Sequence, residues 1–219
     1  MFTRALAVIG LLGCASPEPA KPHHHSPTMV HRFEDADRWA KVFDDPARDA
    51  WQRPDDVVAV LALSPNMTVA DVGAGTGYFT VRLARAVPAG QVIATDIEPD
   101  MVRYLTERAK REQLANVQAV LSTGDDPKLA AGSVDRILVV DVWHHVADRA
   151  RYARGLAAAL RPGGSVAIVD FTQETDRGPP RPHRLRPEVI VADLEAAGLA
   201  TSVSPVKLPD QFVVVGRKP

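Results

Sequence analysis

Between Met67 and Phe171, short β-rich runs alternate with stretches of helical periodicity. The runs are Met67 to Val72, Gln91 to Thr95, Val117 to Leu121, Val134 to Val140 and Ser165 to Phe171; between them lie Tyr78 to Val87, Pro99 to Gln113 and Arg149 to Leu160. Strands separated by amphipathic helices require right-handed crossovers, so the pattern predicts βαβ units around a parallel sheet. A helix is expected over Pro187 to Ala197, stopped by Gly198. Thr201 to Leu208 and Gln211 to Arg217 then follow with no helix between them, which predicts an antiparallel pair at the close of the sheet. The expected fold class is α/β: a doubly wound, mostly parallel, seven-stranded sheet.

Phe33, Trp39, Val42 and Phe43 recur at helical spacing until Pro46, and Pro54 opens a second helix running through Leu61. These predict an N-terminal helical cap over residues 31–63, placed before an α/β core over residues 64–219. A chain of 219 residues that is 46% hydrophobic suits one such core. Lys and Arg number 26 against 27 Asp and Glu, so no overall field gathers a polyanion, and nucleic acid is disfavoured as a partner.

The first 30 residues read differently. Met1-Phe2-Thr3-Arg4 carries a positive charge, Ala5 to Gly13 is apolar or small, and Leu11-Leu12-Gly13-Cys14 closes the run. The run is shorter than the ~20 apolar residues a bilayer span needs. It resembles a bacterial lipoprotein signal, cut before a lipid-modified cysteine. The resemblance implies a signal peptide over residues 1–14, a Pro- and His-rich tether over 15–30, and a membrane-anchored protein on the periplasmic side. A misassigned start codon, and with it a cytoplasmic protein, is the alternative. His23-His24-His25 on such a tether fixes no ligand geometry, and no metal is assigned to it.

The first strand leads directly into Asp71-Val72-Gly73-Ala74-Gly75-Thr76-Gly77-Tyr78. Glycines at such a turn let the backbone approach a ligand closely and set helix N-terminal amides against it. Dinucleotide folds use a similar loop, but the third glycine of G-x-G-x-x-G would fall on Tyr78, so the diphosphate fingerprint fails. Asp71 would repel a diphosphate and attract an ammonium. Asp96 ends the second strand about 20 residues beyond the loop, where a carboxylate that grips ribose hydroxyls is expected.

On these residues the chain resembles the class I S-adenosylmethionine-dependent methyltransferases, particularly the small-molecule enzymes of the ubiquinone/menaquinone type. The resemblance extends to Val139-Val140-Asp141-Val142-Trp143-His144-His145-Val146 and to the turn Leu160-Arg161-Pro162-Gly163-Gly164. It implies S-adenosylmethionine as cofactor and methyl transfer to a small organic acceptor. Asp71, Gly73, Ala74, Gly75 and Gly77 would face the methionine part, Asp96 the ribose, and Ile97 and Met101 the adenine, with Asp141 also in the cofactor set. Thr123-Gly124-Asp125-Asp126 departs from the family at the place of the adenine-amino contact. Thr123 or Gly124 aligns there, Asp125 is the nearest carboxylate, and a solvated turn is the competing reading.

Methyl transfer from a sulfonium asks mainly for alignment and exclusion of water, and needs a base only for a protonated acceptor. His144 and His145, after the fourth strand, and His183, in the loop after the fifth, are the candidate bases. Two other readings stay open: a module that binds S-adenosylmethionine without turnover, and a nicotinamide oxidoreductase.

Overall fold

The computed structural model describes residues 33–219. The leader, tether and triple-histidine expectations therefore lie outside the described residues. Five parallel strands, β1 (Thr68–Val72), β2 (Gln91–Asp96), β3 (Val117–Leu121), β4 (Val134–Val140) and β5 (Leu160–Phe171), and two further strands, β6 (Ala200–Val203) and β7 (Gln211–Arg217), form one sheet. Its order is β3-β2-β1-β4-β5-β7-β6, with β7 antiparallel to both β5 and β6. The expected architecture is met. The strand order switches direction between β1 and β4, and open α/β sheets bind ligands beyond the C-terminal strand ends at such a point.

The central strands β1, β4 and β5 alternate their side chains between two cores. One holds Ala70, Val72, Ile137, Val139 and Ile168 with Trp143, Leu156 and Ile190. The other joins Val69, Leu138, Val140 and Val169 to Val57, Leu61, Phe79 and Leu83. Burial on both faces is what makes the strands read as continuous apolar runs. α4 (Tyr78–Ala86) starts at once after the glycine loop, α5 (Pro99–Arg111) has proline in its first turn and three basic residues in its last, and α6 (Arg149–Ala159) and α7 (Pro187–Ala196) follow β4 and β5.

Two boundaries differ from expectation. β5 begins at Leu160, so the Pro-Gly-Gly segment is part of the strand: Gly163 N–H donates to Lys218 O and Lys218 N–H to Gly164 O, which extends the pairing to the C-terminus. β6 stops at Val203, five residues short of Leu208.

The cap contains three helices rather than two: α1 (Ala36–Phe43), α2 (Arg48–Gln52) and α3 (Pro54–Val60). α2 is too short to show a period in the sequence. Charged contacts fasten the cap to α5: Ala36 N–H donates to Asp100 at 2.7 Å, Arg103 pairs with Asp37 at 3.0 Å, and Arg108 pairs with Asp44 at 2.8 Å. Arg108 also donates to Thr76 O at 2.9 Å, so the same guanidinium grips cap and glycine loop together.

Candidate functional site at the strand ends

The glycine loop is folded by the end of β2. Gly73 and Ala74 N–H both donate to Thr95 O, at 2.8 and 3.0 Å, and Gly77 N–H turns back onto Ala74 O. Gly73, Gly75 and Gly77 all have positive φ, a conformation open to glycine at little cost. Asp96 then clamps the turn: Oδ2 accepts Gly75 N–H at 2.8 Å and Oδ1 accepts Glu98 N–H at 2.9 Å. Thr76 Oγ1, within the loop, and Thr95 Oγ1, beside it, are buried with no partner among the described residues.

Three carboxylates converge on this edge. Asp71 is 3% exposed and accepts Thr80 Oγ1–H at 2.6 Å. Burial, with the negative charge of Asp96 adding to it, pushes its carboxyl up to about 6. Asp96 is raised as well, first by burial, against the amides that favour its ionised form. Asp141, just past β4, has φ of 60°, a left-handed conformation rare outside glycine. Burial pushes its carboxyl up to about 7; Arg48 opposes the rise and Asp170 adds to it.

The cap supplies residues that sequence reasoning missed. Arg48 of α2 lies over the Tyr78 ring at 4.1 Å, donates to Phe43 O at 3.0 Å and to Gln52 Oε1 at 2.9 Å, and stands 3.7 Å from Asp141. Gln52 donates to Gln211, at the start of β7, and Gln211 donates to Asp141. This chain of hydrogen bonds joins cap to sheet. Its signal in the sequence was two glutamines, each between a charged and an aromatic residue and 159 positions apart, with nothing local to link them.

His144 and His145 sit in a short 3-10 turn, Trp143–His145, with their rings 4.2 Å apart. His144 is 5% exposed, and its Nδ1 lies 2.8 Å from Asp170 Oδ1 at the end of β5. His145 is half-buried, edge-on to Phe33 at 6.0 Å, and Phe33 continues through Trp39 into Phe43, which would lie 3.5 Å from a Cβ on Gly75. His183 is half-buried in a second 3-10 turn, Arg181–His183. Its loop is built around Arg184, whose guanidinium donates to the carbonyls of Pro179, Thr172, Gln173, Thr175 and Arg177.

The structure thus brings together Asp71, Gly73, Ala74, Gly75, Gly77 and Asp96, and joins Asp141 to the cap. Ile97, beside Asp96, is 51% exposed, whereas Met101 is buried. Thr123 and Gly124 open an exposed turn closed by Asp126. In it, Asp125 Oδ1 accepts Thr123 Oγ1–H at 2.7 Å and Oδ2 pairs with Arg151 at 2.9 Å.

Comparison with known proteins shows what this domain is similar to. Residues 69–164 match the model of a methyltransferase domain. An uncharacterized methyltransferase of Mycobacterium tuberculosis is 36% identical over 126 residues, 57% of this chain and 48% of that protein. A demethylmenaquinone methyltransferase of Tropheryma whipplei is 34% identical over 122 residues, 56% of this chain and 48% of that protein. The chain spans about half the length of the curated relatives it matches. Among solved structures, a SAM dependent methyltransferase from Aquifex aeolicus has a TM-score of 0.76 at 28% identity, covering 84% of this chain and 99% of that one. The sheet and its helices have the Rossmann-like methyltransferase fold.

Proposed function

We propose that this chain, whose core from Val69 to Gly164 matches a methyltransferase domain, transfers a methyl group from S-adenosylmethionine to a small organic acceptor. The observation that carries this reading is the convergence of Asp71, Asp96 and Asp141, with two carboxyls pushed up to about 6 and about 7. Burial is the main cause of both rises, and a cation brought against the carboxylates favours their ionised forms. S-adenosylmethionine brings an ammonium and a sulfonium against one carboxylate, a net positive charge, whereas a nicotinamide dinucleotide brings a diphosphate that the same carboxylates would repel. The residues present therefore fit the cationic cofactor.

In this reading Asp71 takes the ammonium, and Gly73, Ala74, Gly75 and Gly77 supply close backbone. Asp96 holds the ribose, Ile97, Met101, Thr123, Gly124 and Asp125 border the adenine, and Asp141 lies near the methyl end. The bound cofactor supplies a methyl group on a good leaving group. The chain holds the acceptor in line, keeps water out beneath the cap, and takes up any proton at one of the three histidines. The likeness to the Tropheryma enzyme supports a small-molecule acceptor of the ubiquinone/menaquinone type. Calorimetry with S-adenosylhomocysteine and with NAD separates this reading from the oxidoreductase, and transfer of a labelled methyl group separates it from a binding module.

The order of positive residue, apolar run and Leu-Leu-Gly-Cys box supports a second proposal, a lipid anchor at Cys14 that holds the domain to a membrane on the periplasmic side. Among the described residues no helix is long and apolar enough to cross a membrane.

A further inference from the structure

His144 and Asp170 meet at the ends of β4 and β5 in an arrangement that the cofactor does not explain. The pair is almost wholly enclosed, with side-chain exposures of 3% and 0%. Asp170 Oδ1 accepts its neighbour's amide, Phe171 N–H, at 2.8 Å, and faces His144 Nδ1 at the same distance. Its other oxygen, Oδ2, is buried with no partner among the described residues. A carboxylate placed on Nδ1 keeps the Nδ1–H tautomer, leaves Nε2 with its lone pair available, and stabilises the imidazolium that forms when Nε2 takes a proton. The aromatic wall of Phe33, Trp39, Phe43 and His145 runs from the Gly75 loop to the side of the His144 ring, an apolar surface between the two.

We propose that His144 and Asp170 form a proton-accepting dyad for an acceptor that arrives as a neutral hydroxyl compound of the phenol class; this rests on the reading of the chain as a methyltransferase. His144 is the catalytic residue and Asp170 a positioning residue. The acceptor O–H proton moves to His144 Nε2. An oxygen lone pair forms the new O–CH3 bond as the CH3–S bond breaks. The pair from the broken bond stays on sulfur, leaving a neutral thioether, a methyl ether and an imidazolium that returns its proton to solvent.

Charge selects a hydroxyl over an amine. Arg48 already faces Asp141, Asp170 is committed to His144, and the sulfonium adds a positive charge. An ammonium acceptor would enter this site as a further cation before it could be deprotonated. A neutral phenol enters without that repulsion, and its oxygen becomes negative only as the sulfonium charge is discharged. The aromatic wall suits a flat ring.

The groups that act on His144 are Asp170 on β5 and Asp141 beyond β4, with His145 beside it and Arg48 of α2 across Asp141. Burial alone lowers the imidazole value, but the Asp170 hydrogen bond and both carboxylate charges outweigh it and hold it above its usual 6.5. The test is a histidine 15N titration of the full chain without ligand, with His144→Gln assigning the signal. The titration of His144 in Asp170→Asn should fall by about one unit or more and lose its Nδ1–H preference. Asp141→Asn should give a smaller fall. An unchanged tautomer and midpoint in Asp170→Asn, or a larger effect from Asp141→Asn, overturns the dyad.

Labelled-methyl transfer to catechol, hydroquinone and 4-methylphenol, against benzylamine and 2-phenylethylamine, tests the acceptor class. Ether products are expected, with the acid limb of the rate displaced to lower pH in Asp170→Asn. Labelled amines with inert phenols overturn the class. Failure to bind S-adenosylhomocysteine would strike the methyltransferase reading instead, while the ligand-free titration would still decide the dyad.

Discussion

The Asp96 carboxylate accepts the amide of Gly75, so the residue expected to hold the ribose also shapes the loop expected to hold the methionine part. A hydrogen bond to a charged group contributes ~1.5–3 kcal/mol. Asp96→Ala should therefore weaken S-adenosylhomocysteine about 10- to 100-fold by calorimetry, and Asp96→Asn should weaken it less, because one oxygen can still take the Gly75 amide. Equal affinity in wild type and Asp96→Ala would remove Asp96 from the site.

Gly73 and Gly75 should respond differently to alanine. A Cβ on Gly73 would lie 2.3 Å from Val142 Cγ2 at a φ of 71°, whereas on Gly75 it would make ordinary contact with Phe43 at 3.5 Å. Left-handed backbone alone costs an L-residue roughly 1–2 kcal/mol. Gly75→Ala should show about that loss of stability in urea unfolding, and Gly73→Ala clearly more, because Val142 must also move. Equal losses would mean that the loop relaxes freely around Val142.

Asp71 should make both stability and cofactor affinity depend on pH, in opposite senses. Its folded value of about 6 lies above the unfolded 3.8, so the folded state holds the extra proton between these limits. Stability attributable to Asp71 is fully present below about pH 4 and lost as pH rises through about 6, by on the order of 3 kcal/mol. Pairing with an ammonium needs the ionised form, so affinity for S-adenosylhomocysteine should fall up to about tenfold per unit below pH 6. Calorimetry across pH 5 to 8 should show this in wild type, with a flatter profile in Asp71→Asn. The same profile in both proteins would place the ammonium elsewhere.

The sheet was legible because burial on both faces leaves strands as apolar runs, and because Asp71, the glycines and Asp96 are adjacent in sequence or near it. Arg48, Gln52 and Gln211 were not. They act through contacts across as many as 159 positions, from a five-residue helix without a period and a strand end that reads as polar. His144 was a candidate by its place after β4, but its carboxylate partner comes from β5 and only the register of the two strands unites them. Asp125 pairs with Arg151 across 26 positions of sequence, a contact its local turn pattern does not show.

Cys14 offers a test of place. With a lipidated cysteine at the mature N-terminus, the full-length product should partition with membranes, and Cys14→Ser should abolish both processing and modification. Each buried CH2 contributes ~0.8 kcal/mol, so more than one acyl chain anchors stably. Mass spectrometry of the native protein reads the result. An intact Met1 without a lipid adduct would return the domain to the cytoplasm.

On the proposed function, the carboxylates at the strand ends take a cationic adenosine cofactor. Isothermal titration of the full chain with S-adenosylhomocysteine and, separately, with NAD at pH 7.5 measures it most directly. Saturable binding of S-adenosylhomocysteine, weakened by Asp96→Ala and absent for NAD, is the expected result. Binding of NAD with no heat from S-adenosylhomocysteine would contradict it.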